Sequence, residues 1–336
     1  MGHKLNRTQI MRKTFLCTLI SLLTGICLAG CGTSPKAQSE NNDSALHIVA
    51  AIFPAWDWTR NILADTTADA ELTLLLDNGV DLHSYQPSVE DILTISNADL
   101  FIYVGGESDQ WVTDALKQSN NPDMRIIKMI DVIGDAARYE ETVEGMQTEA
   151  EDEEEETYDE HVWLSLRNAQ AITEAIANEL SALAPAHAGA YQKNAASYNE
   201  KLSDLDEQYT QAIRKAPVHT LLFGDRFPFL YLTKDYHLTY YAAFSGCSAE
   251  TEASFETISF LAQKCDELGL KTVLTIDGSD RRIAETIVKN TAAKNQEILT
   301  LDSIQSVTGK AIENGATFLS IMENNLNILK LALEVK

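Results

Sequence analysis

The stretch "PAHAGAYQKNAASYNEKLSDLDEQYTQAIRKAP", Pro185 to Pro217, decides the fold. A proline stands at each end and none stands inside. Tyr191, Ala195, Tyr198, Leu202, Leu205, Tyr209 and Ala212 recur at alternating steps of 4 and 3, which lays one apolar stripe along a helix. A helix of about 30 residues is ~45 Å long at 1.5 Å per residue, the length of a rod rather than a short connector. Four short apolar runs precede it: His47–Phe53, Leu72–Leu76, Leu100–Val104 and Arg125–Ile130. Four follow: Thr220–Phe223, Leu238–Phe244, Thr272–Ile276 and Ile298–Leu301. Such runs alternating with helical patterns imply parallel sheets covered on both faces. The expected class is α/β, with two lobes, each a four-stranded, mostly parallel sheet flanked by helices, joined by one long rigid helix. The divisions expected are a first lobe at 46–184, the linking helix at 185–216 and a second lobe at 217–336.

The first thirty residues read differently. Lys4, Arg7, Arg12 and Lys13 form a positive segment, and Phe15–Leu28 is a mostly apolar run of 14 residues. That run is short for a membrane span and has the layout of a secretory signal. "LAGC", Leu28 to Cys31, resembles a bacterial lipobox, so residues 1–30 are expected to be removed and Cys31 lipidated. Several acyl chains on Cys31 would anchor the protein to the outer side of the cell membrane. Residues 31–45 read as a polar, flexible tether. Losing the four positive charges takes the formal charge from −24 to −28. This acidity argues against nucleic acid and anionic lipid as partners and is compatible with cation capture. An acidic loop is expected at 140–160, because seven of the eight residues Glu149–Glu156 are acids and such a run repels itself into disorder.

Ligands of open parallel sheets sit beyond the carboxyl ends of the strands. His83 follows the second run there, and His161 precedes a helical pattern that begins near Leu166. Asp225 follows the fifth run, and Asp277 and Asp280 follow the seventh. Two imidazoles and two carboxylates make an ordinary ligand set for a divalent transition metal. After signal removal Cys247 and Cys265 remain beside Cys31. Their spacing leaves a disulfide and two buried thiols both open, and neither stands in a metal-ligating pattern. Trp56, Trp58, Trp111 and Trp163 read as core packing, while Tyr85 and Arg226 are candidates for orienting the imidazoles. The chain has no GxGxxG, P-loop, HExxH or GxSxG string, so nucleotide binding and those hydrolase chemistries have no support.

Four segments carry a family resemblance. "GVDLHSYQPSVEDILTISNADLFIYVGG" (79–106) and "YDEHVWLSLRNAQ" (158–170) resemble long signatures of the metal-binding lipoproteins of zinc and manganese ABC transporters. "FGDRFPFLYLTKDYHL" (223–238) and "IDGSDRRIAETIVKNTA" (276–292) are similar to that family's third and fourth segments. The resemblance implies an extracytoplasmic solute-binding protein, acting as a monomer, that holds a metal between its lobes and hands it to a membrane permease without catalysis. By motif position His83 and His161 are the first two ligands. Relatives carry His or Glu where this chain has Gly224; Asp225 is the nearest replacement, ahead of His219 and His237. The fourth ligand is Asp280 or Asp277. Zinc stands first as cargo, with Mn2+ and Fe2+ as alternatives, because two aspartates make a harder site than three imidazoles. A surface adhesin on the same scaffold, or a metal-dependent hydrolase with a base such as Asp277, are the alternative functions.

Overall fold

A computed structural model describes residues 45–147, 157–248 and 252–336. The signal, Cys31, most of the tether and the acidic run Glu149–Glu156 lie outside the described residues.

The first lobe contains β1 (Leu46–Ala50), α1 (Phe53–Leu63), β2 (Ala70–Leu74), α2 (Val89–Ser96), β3 (Leu100–Tyr103), α3 (Val112–Leu116), β4 (Arg125–Lys128), α4 (Met129–Ile133) and α5 (Leu166–Leu183). The linking helix is α6 (Ala188–Arg214). Beyond it come β5 (Thr220–Phe227), α7 (Leu230–Asp235), β6 (Thr239–Ser245), α8 (Phe255–Glu267), β7 (Thr272–Ile276), α9 (Arg282–Asn290), β8 (Glu297–Leu301), α10 (Gly309–Glu313) and α11 (Phe318–Ala332). The sheets have orders β2-β1-β3-β4 and β6-β5-β7-β8, the same order twice. Every strand pairing within them is parallel. The eight apolar runs thus became the eight strands. The first run overshoots: its last residue, Phe53, begins α1 instead of ending β1, and Pro54 follows it in the first turn, where a proline gives up no internal hydrogen bond.

All seven residues of the stripe on α6 are buried, and a fully buried large side chain contributes roughly 1.5–3 kcal/mol. One core runs through both lobes, taking in Ile48 and Phe101 of the first sheet, Tyr198 and Leu205 of α6, and Phe223 and Leu274 of the second sheet. A smaller core of Leu222, Leu261, Cys265 and Ile287 lies under α8 and α9. Buried polar contacts brace the halves. Asp57 on α1 is fully buried; its Oδ2 accepts from Phe318 N at the start of α11, 3.0 Å away, and Arg60 pairs with its Oδ1 at 2.6 Å. Burial still holds the Asp57 pKa above the ordinary carboxylate value, against those partners. Tyr209 on α6 donates to Met322 O at 2.6 Å, and Trp163 Nε1 donates to Ser303 O at 2.9 Å. No helix among the described residues is long and apolar enough to cross a membrane.

Candidate metal centre

The loop after β2 ends in a tight 3-10 turn, Leu82–Ser84, that carries His83. Asp81 caps this turn, its Oδ1 accepting from His83 N at 3.0 Å. His161 sits just before a second such turn, Val162–Leu164, which leads into α5; Ser165 Oγ caps α5 by accepting from Asn168 N at 3.0 Å. The two imidazoles meet with their Nε2 atoms 3.2 Å apart.

Behind each ring stands an acceptor. Asp159 Oδ1 accepts from both His161 N at 2.8 Å and His161 Nδ1 at 3.0 Å. His83 Nδ1 lies 2.8 Å from Ser108 Oγ and 3.3 Å from Glu160 Oε2. Glu160, almost fully buried, also accepts from Ser108 N through Oε1 at 2.6 Å. A carboxylate can only accept, so Asp159 places a His161 ring proton on Nδ1, and Glu160 nearby favours the same for His83; the two Nε2 atoms then face one another at 3.2 Å, where a shared proton or a metal cation can stand between them. Two converging lone pairs repel unless a cation stands between them. Two nitrogens about 2.0–2.1 Å from a tetrahedral zinc ion would be about 3.3 Å apart, close to the separation seen. Burial disfavours charge on His161, but Asp159, Glu160 and Glu140 outweigh it and hold its pKa above the ordinary value. Burial likewise opposes the charge of Glu160, yet the contacts with His83 and Ser108 keep its pKa below the usual range.

The second lobe supplies the opposite wall of a cavity of about 610 Å³ lined by His83, Asp225, Cys247, Asp277 and Asp280. The structure does not bring the three aspartates into the imidazole cluster. Asp225 accepts from Arg226 N at 2.9 Å and from Ile276 N at 3.3 Å. Asp277 accepts from Ser303 N, Ser303 Oγ and Ser306 Oγ, each at 2.6 Å. Asp280 is half exposed and paired with Arg282. Instead, the three donors within 4.8 Å of one another, among the described residues, are His83, His161 and Cys247. Both cysteines are free thiols, which closes the disulfide question. Burial and the carboxylates of Glu140, Asp159 and Glu160 push the Cys247 thiol well above its ordinary range.

Cys247, which stands in no metal-ligating pattern in the sequence, is thus brought beside the two imidazoles by the fold. Its place comes from tertiary convergence: a Cβ on Gly246 would be 2.9 Å from His161 Cε1, so glycine lets the chain just past β6 come this close to the ring. Of the candidate orienting residues, Arg226 does reach the site, donating to Asp81 Oδ2 at 2.7 Å and so tying β5 to the His83 turn. Tyr85 packs edge-on against Trp111 instead.

The protein-family description "zinc-uptake complex component A periplasmic", ZnuA, matches residues 48–332. The chain belongs to the ZnuA family. That is a solute-binding family, not an enzyme family. The chain is 30% identical over 314 residues to the zinc-binding lipoprotein AdcA of Streptococcus pneumoniae R6, covering 93% of this chain and 60% of that protein. It is 28% identical to the high-affinity zinc uptake system protein ZnuA of Bacillus subtilis, covering 93% of this chain and 95% of that one. The fold matches the Zn(II)-bound ZnuA-like domain of pneumococcal AdcA with a TM-score of 0.68 and 27% identity, over 86% of this chain and 99% of that domain. The chain thus spans about 60% of the length of the AdcA relatives. Within the ZnuA frame, Gly224 has a steric reason: a Cβ there would be 2.5 Å from Ala284 Cα in α9.

Proposed function

We propose that this chain is the extracytoplasmic solute-binding component of a metal ABC transporter, taking up Zn2+ between its lobes and passing it to a membrane permease. The observation that carries the reading is the 3.2 Å approach of two Nε2 atoms whose far nitrogens are held in place, that of His161 by Asp159 and that of His83 by the Ser108 hydroxyl. Such outer partners fix the ring and raise its basicity toward a metal. The Zn(II)-bound relative supports zinc as the cargo. Three of the roughly four lone-pair sites of Asp277 are taken by serines and two of those of Asp225 by backbone N–H groups. Both therefore keep capacity for an ion entering the cavity. Anchoring through lipidated Cys31, outside the cell and as a monomer, completes the proposal. The braces between the lobes permit small tilts only, so release follows docking or local loop motion.

The test is metal analysis of the purified mature protein beside His83→Ala and His161→Ala. One tightly held ion per chain, lost in both variants, is expected. Full retention of zinc by either variant would overturn the assignment of that ligand, and a wild-type protein that binds none would overturn the function.

A further inference from the structure

Gly224 lies against the α9 backbone, so this position on β5 offers no side chain to an ion. A different donor reaches the imidazoles. Cys247 leaves the end of β6 directly after Gly246, whose backbone approaches the His161 ring closely. Its backbone N–H donates to Glu140 Oε1 at 3.0 Å, which fixes this exit beside the site. The other thiol, Cys265, is buried under α8 and donates to Leu270 O at 3.4 Å, so it does not compete as a bridging partner.

We propose that Cys247 is a thiolate ligand of the cargo ion, completing with His83 and His161 a three-donor NNS face. This rests on the reading of the two histidines as ligands. The three donor atoms lie within 4.8 Å of one another. Around a tetrahedral zinc ion a sulfur at about 2.3 Å would stand about 3.6 Å from each nitrogen, so the β6 exit has to close by about an ångström at most. On binding, the thiol gives its proton to water and the sulfur lone pair forms the metal bond, with no change of oxidation state. A soft donor in the third place favours zinc over manganese. The thiolate therefore biases the cavity, whose aspartates alone would admit harder ions, toward zinc.

The mature protein is titrated with Co2+ alone and then with Zn2+ and Mn2+, beside Cys247→Ser. The wild-type Co2+ complex is expected to show sulfur-to-metal charge-transfer absorption in the near ultraviolet, which imidazole and carboxylate donors do not give, and Cys247→Ser is expected to lack it. Zinc affinity should fall by about tenfold or more in the variant, on the scale of lost metal partners, while manganese affinity changes far less. Zinc should also protect Cys247 from alkylation. Wild-type protein that binds Co2+ and Zn2+ through the histidines with no sulfur band, with Cys247→Ser binding zinc equally well, overturns this inference and leaves the transport reading standing. Wild-type protein that binds no metal overturns both.

Discussion

The two walls of the cavity are built on opposite plans. The first lobe presents a finished surface: both imidazoles are oriented from behind, and Asp159 and Glu160 sit buried beneath them. The second lobe presents carboxylates turned into their own framework, with Asp225 on a β7 backbone N–H and Asp277 on two serines. Placing a donor at the end of a strand is a matter of topology. Aiming it is a matter of outer partners, and only the first wall has them arranged to point at an ion.

The comparison breaks most sharply at Asp159. Asp159→Asn keeps an acceptor behind His161 but removes the charge, and should weaken Zn2+ binding by about 10–100-fold, read by competition with a chromophoric chelator. Away from Cys247, the second wall should fail in stability more than in binding. Gly224→Ala drives a methyl into α9 and should lower stability by about 1–3 kcal/mol, read by urea unfolding of the metal-free protein. Arg226→Ala cuts the tie between the walls. Burial alone would raise the Asp81 pKa, but Arg226 holds it below the usual range. Loss of this part-buried pair should cost about 1 kcal/mol or less and speed zinc dissociation in stopped-flow exchange. The smallest effect is in pH. Burial pushes Asp109, which accepts from Val104 N and Gly105 N, up to about 6 from 3.8. Its folded state holds the proton more tightly than the unfolded chain, so this group loses stability as pH rises from 3.8 to about 6 and adds no further change above that. Asp109→Asn should therefore flatten the pH dependence of the melting temperature in that window.

Much of this was legible in the sequence. The alternating steps on α6 marked its buried face residue by residue, because a helix laid along one shared core shows that core a single stripe. His83 and His161 were readable because each lies in a long local signature around a capped turn. Cys247 was not, because nothing local marks it; its role arises where a second-lobe strand end meets a first-lobe ring, and the one local hint was the glycine before it. The aspartates were placed correctly in the topology, at the rim of the cavity, but strand-end position says nothing about which N–H or hydroxyl groups claim a carboxylate.

The shared core has a last consequence, for the order in which an ion lets go. Trp163, Asp57 and Tyr209 stitch the halves together from inside, so under the proposed function unloading would not proceed by swinging a door. It has to run donor by donor from the open rim inward. Groups facing the cavity would part first, and fully buried His161 last, so the residence time of the cargo would be set by one imidazole and the aspartate at its back.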